Sequence, residues 1–171
     1  DDYLVNVAVT DGARDIMLFS DAGKVIRFAE QDVRPMGRTA CGVRGIKLGG
    51  DQRVISLIIA EPDRMVLNVT ANGFGKRTTL DQFPVQGRGG MGVIAIKTSA
   101  RNGEQVGAVL VDESDEVMLI TNGGTLVRTP VSDVSTMGRD TQGVTMIRVA
   151  EDERLVGIER IEALEDEGED E

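Results

Sequence analysis

Residues 117–149 read VMLITNGGTLVRTPVSDVSTMGRDTQGVTMIRV, and the chain says nearly the same thing twice before. Residues 16–48 are IMLFSDAGKVIRFAEQDVRPMGRTACGVRGIKL, and residues 65–98 are MVLNVTANGFGKRTTLDQFPVQGRGGMGVIAIKT. Gly23, Gly73 and Gly124 coincide, as do Arg27, Arg77 and Arg128. The pairs Gly37-Arg38, Gly87-Arg88 and Gly138-Arg139 follow, then Gly42-Val43, Gly92-Val93 and Gly143-Val144. Ile46-Lys47, Ile96-Lys97 and Ile147-Arg148 close the match, and the offset is 50 and then 51 at every one of these positions. A fixed period of this length marks a repeat architecture.

Each unit reads as β structure. An apolar run such as Val117 to Ile120 meets the turn Asn122-Gly123-Gly124, and a second run follows, which is a hairpin signal. A polar connection carries the Gly-Arg pair. A third strand is expected from Val43, Val93 or Val144, and a fourth over residues 54–59, 106–111 and 155–161. Four strands in about 50 residues is the content of a propeller blade. Residues 4–9, LVNVAV, resemble a fourth strand and predict that residues 1–15 end a preceding blade. The repeats then span 16–63, 64–115 and 116–161, with an acidic, disordered tail expected at 162–171. The fold class is all-β.

Composition narrows the chemistry. The 171 residues contain no His and no Trp, one Tyr and one Cys, Cys41. The commonest general base and metal ligand is thus absent, and no intramolecular disulfide can form. No Ser-His, Cys-His, H-E-x-x-H or C-x-x-C arrangement occurs. NGFGKRT at residues 72–78 lacks the spacing of a phosphate-binding P-loop, and Asp112, Glu113, Asp115 and Glu116 read as a charged turn. No catalytic centre, metal or cofactor is expected. No apolar run suggests a membrane span, and a cytoplasmic location is expected. The net charge of −10 is concentrated at the end, where residues 162–171 hold seven acids. The remainder carries 19 basic and 22 acidic residues, and fifteen of the basic ones are Arg.

The long match over residues 1–161, and the stretches NGFGKRTTLDQFP and DEVMLITNGGTLVRTPVSDVSTMGRDTQGV in particular, resemble the C-terminal domain of the DNA gyrase A protein. The resemblance implies a six-bladed β-pinwheel in which strands cross between neighbouring blades. Three blades and a leading strand are then roughly its second half. It also implies that a basic rim wraps double-stranded DNA and so supports ATP-dependent negative supercoiling by a type IIA topoisomerase. The partners implied are the rest of gyrase A, together with gyrase B. The family's heptapeptide is Q-R-R-G-G-[KR]-G, and Gln86, Gly87, Arg88, Gly89, Gly90, Met91 and Gly92 form a degenerate copy of it. Its glycines read first as a bend between blades.

Candidate phosphate contacts are Arg38, Arg88 and Arg139 in the Gly-Arg pairs, and Lys47, Lys97 and Arg148 on the third strand. Arg27, Arg77 and Arg128, together with Lys76 and Arg44, complete the set. For the second-strand arginines an ion pair with Asp32, Asp81 or Asp133 is an equal reading. Arg44 and Ile46 fall on one face of a strictly alternating strand, so a twist or bulge is expected there. Two alternatives remain open: the related C-terminal domain of topoisomerase IV, and a protein-binding propeller. The latter normally uses exposed aromatic anchors, which are scarce at 3% aromatic residues.

Overall fold

The computed structural model describes residues 2–163. It contains strands and three single 3-10 turns, and no α-helix among the described residues. The first repeat opens with the hairpin β1 (Asp15–Ser20) and β2 (Lys24–Ala29), and β3 (Val54–Ile59) returns to pair with β1. The second repeats this with β4 (Met65–Thr70), β5 (Phe74–Thr79), the short β6 (Val93–Ile94) and β7 (Gln105–Val111). The third supplies β8 (Glu116–Thr121), β9 (Leu126–Pro130), the short β10 (Val144–Thr145) and β11 (Leu155–Ile161).

Each hairpin turns on a glycine with positive φ: 75° at Gly23, 82° at Gly73 and 85° at Gly124. Its N–H closes the turn on the carbonyl three residues earlier, at 3.0 to 3.1 Å. Only glycine takes this conformation at no steric cost.

The three sheets are ordered β3-β1-β2-β6, β10-β5-β4-β7 and β11-β8-β9. The third segment of a repeat therefore leaves its own unit and pairs with the blade before it. Lys24 and Val25 face Ile94 and Val93, and Phe74 and Gly75 face Thr145 and Val144. This is the strand crossing that the resemblance implies. It also corrects two expectations. No strand forms at Val43, and residues 4–9 are exposed and unpaired among the described residues. A strand exists only by its ladder: Val93 and Val144 pair with the hairpin of the unit before their own, and among the described residues no hairpin pairs in this way with Val43 or with residues 4–9.

The irregularity expected around Arg44 and Ile46 has no strand to sit in there, and it stands instead at the equivalent place of the second and third repeats. Ala95 and Ile96 both donate N–H to the Gly23 carbonyl, at 2.8 and 3.3 Å. Met146 and Ile147 do the same to Gly73, at 2.8 and 3.2 Å. Two successive donors on one acceptor end the alternation after two ladder residues.

Two apolar cores lie between blades, and a smaller one around Ile26, Phe28 and Ile46 lies within the first repeat. Met17, Phe19 and Val25 of the first pack with Val66, Phe83 and Ala95 of the second repeat. Leu67, Val69 and Val111 meet Val117, Leu119 and Val134 across the next joint. Of the acidic end, residues 164–171 lie outside the described residues. Glu162 pairs with Arg160 at 3.1 Å.

Candidate nucleic-acid interface

The segments that cross between blades carry most of the candidate residues. They are arms, bent by glycine and held to the preceding unit by backbone hydrogen bonds. In the second arm the Gln86 N–H reaches the Arg27 carbonyl at 2.7 Å, and in the third Met137 reaches Arg77 at 2.8 Å. The glycines of QGRGGMG serve this bend. Gly92 has φ 72°, and an added Cβ would meet the Val25 carbonyl. Gly87, in contrast, has no positive φ and no neighbour within 4 Å of a built Cβ, and Met91 is 63% exposed.

The arms differ in charge from the rest of the chain. Residues 33–50 contain four cations, Arg34, Arg38, Arg44 and Lys47, and no acid. Residues 82–103 contain Arg88, Lys97 and Arg101 and no acid, whereas residues 134–150 hold Arg139 and Arg148 with Asp140. Lys47, Lys97 and Arg148 are exposed at equivalent positions, as are Arg38 and Arg44 on the first arm. Lys97 lies 3.4 Å from Asp140 with both side chains about half exposed, a pairing worth little. Arg34 and Arg101 were missed as candidates because they do not recur at the repeat period. The signal that finds them is the absence of acids around them.

Arg88 and Arg139 do more than face solvent. Arg88 donates Nε to the Asp32 carbonyl at 3.1 Å and Nη1 to the Arg44 carbonyl at 2.8 Å. Arg139 donates Nη1 to the Ile94 carbonyl at 2.7 Å, the position equivalent to Arg44. Each thus clasps the preceding unit and keeps other N–H groups for a second partner.

Three of the candidates are turned inward, which corrects the reading of their charge. Arg27 donates to Asp15 at 2.9 Å and to the Leu80 and Phe83 carbonyls at 3.0 and 3.2 Å. Arg77 donates to the Val134 carbonyl at 2.7 Å and lies 3.7 Å from Glu113. Lys76 is fully buried, and its ammonium donates to the Gly138 and Arg139 carbonyls and to Thr141 Oγ1, at 2.7, 2.5 and 3.0 Å. Arg128 pairs with Glu116 and stays exposed. The acid partners are thus Asp15, Glu113 and Glu116 rather than Asp32, Asp81 and Asp133. Asp15 and Glu116 open the first strand of the same hairpin as their arginine, and Glu113 lies in the turn before β8.

Burial pushes the Lys76 ammonium down from the usual 10.5 to about 8. Between those values the unfolded chain holds a proton that the folded chain releases, so this lysine makes stability rise with pH across that window. Equivalent positions hold the apolar Ile26 and Val127. Lys76→Met is therefore expected to change stability by no more than about 1 kcal/mol near pH 7 and to leave duplex affinity unchanged. The pH-dependent rise should vanish in the variant. Chemical denaturation at several pH values checks the first and last outcomes, and a binding titration checks the second.

The acids at the blade-edge turn are taken up by arginine. Asp112 pairs with Arg64 at 3.2 Å, and Asp115 with Arg160 at 2.6 Å. Among the described residues no group of three His, Cys, Asp or Glu is placed to hold a metal ion, and no helix is long and apolar enough to cross a membrane.

The family described as DNA gyrase C-terminal domain, beta-propeller, matches residues 14–61, 65–112 and 115–162. The chain is 56% identical to the DNA gyrase A protein of Salmonella typhimurium over 167 residues, which cover 97% of this chain and 19% of that protein. It is 57% identical to the gyrase A protein of Pseudomonas aeruginosa, over 94% of this chain and 17% of that one. It therefore spans roughly a fifth of the length of these curated relatives. Among solved structures, a C-terminal domain of DNA topoisomerase IV superposes with a TM-score of 0.86 at 25% identity, over 92% of this chain and 50% of that chain. A DNA gyrase A C-terminal domain gives 0.80 at 27% identity, over 86% and 50%.

Proposed function

Since this chain belongs to the DNA gyrase C-terminal domain family, we propose that it binds duplex DNA through its basic arms and bends it around the blades. The observation that carries this reading is the recurrence of Lys47, Lys97 and Arg148, exposed at one place in every arm, on segments nearly free of acids. Repeated cations on equivalent segments can follow a curved phosphate backbone, where counterion release drives binding. No α-helix is present among the described residues to read the major groove, so preference among sequences comes from deformability.

In this reading the chain is the wrapping part of a gyrase A protein, and it supports negative supercoiling by the whole enzyme with ATP. The rest of gyrase A, together with gyrase B, supplies its partners, and the work is done in the cytoplasm. The chain itself contributes no catalytic centre and no cofactor. The topoisomerase IV alternative is weaker, because identity to the gyrase A proteins is 56 to 57% and to the topoisomerase IV domain 25%.

The test is a titration of random duplexes with the chain over a series of salt concentrations. Unrelated sequences should bind alike, with log affinity falling linearly against log salt. Binding that is absent, or that ignores salt, would overturn the reading. A double substitution sharpens it. Gly87→Arg with Met91→Lys restores two basic groups at open positions, and should steepen the slope by up to about 1.8. Truncation after Ala163 removes six acids and should raise affinity, most clearly at low salt where screening is least.

A further inference from the structure

Each joint between consecutive repeats brings a lysine of one arm beside the Gly-Arg pair of the next. At the first joint the Lys47 N–H donates to the Gly90 carbonyl at 2.8 Å, and Arg88 of the second arm reaches back to the Arg44 carbonyl. At the second joint the Lys97 N–H donates to the Thr141 carbonyl at 2.8 Å, and Arg139 of the third arm reaches back to the Ile94 carbonyl. The two contacts are the same and fall at equivalent positions of the repeat. Lys47 with Arg88, and Lys97 with Arg139, are thus brought to one shared place on the rim by the backbone.

The two places differ in charge at one position. The residue after Arg88 is Gly89, and the residue after Arg139 is Asp140, the one acid within residues 33–50, 82–103 and 134–150. Its carboxylate lies 3.4 Å from the Lys97 ammonium, so Lys97 reaches across the joint to the immediate neighbour of Arg139. Both side chains are about half exposed, and such a pair adds little to stability. Nor does Asp140 satisfy the buried Lys76, whose ammonium donates to two carbonyls and a hydroxyl. The fold therefore has little need of this acid.

We propose that Asp140 attenuates DNA binding at the second joint, its carboxylate holding the place that a duplex phosphate takes beside Lys97 and Arg139, whereas the equivalent place at the first joint is open. This rests on the reading of the arms as a duplex-binding surface. A carboxylate and a phosphate compete for the same ammonium and guanidinium donors. The pair with Lys97 is exposed and weak, so DNA can displace it, but the acid then stands beside the phosphate and repels it. The grip is graded along the rim, tighter at Lys47 and Arg88 than at Lys97 and Arg139.

Duplex titrations of the full chain over a series of salt concentrations test it. Asp140→Asn should raise affinity about fivefold at low salt, the effect of one unit charge about 4 Å away in water. It should also steepen the slope of log affinity against log salt by up to about 0.9, because Lys97 is freed for phosphate. Asp152→Asn removes the same charge from an exposed turn outside the arms and should do neither. In a chain that carries Lys97→Gln, adding Asp140→Asn should leave the slope as it is. Thermal melting of Asp140→Asn should hardly differ from that of the parent. The proposal is overturned if the parent binds duplex with a normal salt slope and Asp140→Asn changes neither affinity nor slope. A lowered melting temperature in that case marks Asp140 as a partner of Lys76 instead. It is also overturned if Asp152→Asn gives an equal gain, which marks total charge, or if the gain in slope survives Lys97→Gln. A parent that binds no duplex at any salt overturns the reading of the arms, and the proposal with it.

Discussion

Gly73→Ala is expected to cost the folded protein about 2–5 kcal/mol and to lower its melting temperature by roughly 4–20 °C. Two effects add. An L residue held at φ 82° costs roughly 1–2 kcal/mol. The new Cβ then meets the Ile147 carbonyl, which is backbone and pinned by its place in the arm. Overpacking of this kind costs about 1–3 kcal/mol more. The carbonyl of Gly73 accepts from Met146 and Ile147, so displacing the arm also loosens the joint that buries Leu67 and Val117. Gly12→Ala is the control. Its φ is 92° with nothing within 4 Å of the Cβ, so only the backbone cost applies. Thermal melting of both variants should separate them by at least about 1 kcal/mol, and equal losses would show that the contact with the next arm does not matter.

The second large effect is on DNA. Arg34, Arg44 and Lys47 are exposed on the acid-free first arm, and none carries an ion pair among the described residues. Replacing all three with glutamine should lower the slope of log affinity against log salt by up to about 2.7. Stability should hardly change, because no described contact uses these side chains. Replacing Arg148 alone, on the least basic arm, should lower the slope by no more than about 0.9. A triple variant that melts normally and keeps the parent slope would place the duplex elsewhere. The ranking of arms distinguishes a path along all three from a general attraction to positive charge.

The period, the strands of each unit and the turns could all be read from the residues in order. A hairpin glycine at a fixed place in three repeats is legible without coordinates, because positive φ is a local demand that few residues meet. The bend role of Gly89 and Gly92 was legible for the same reason. Where the third segment goes, and what each cation does, emerged only from the packing of the blades. Arg27, Arg77 and Arg128 are indistinguishable in the repeat, yet the first two are closed over by the next unit and the third has none over it among the described residues. Lys76 stands where neighbouring repeats have Ile26 and Val127, and only the carbonyls of the following arm explain a buried ammonium there. Turn and strand preferences act over a few residues and are written locally. The use of a charge depends on carbonyls some 50 residues away, which reach it only when the blades pack.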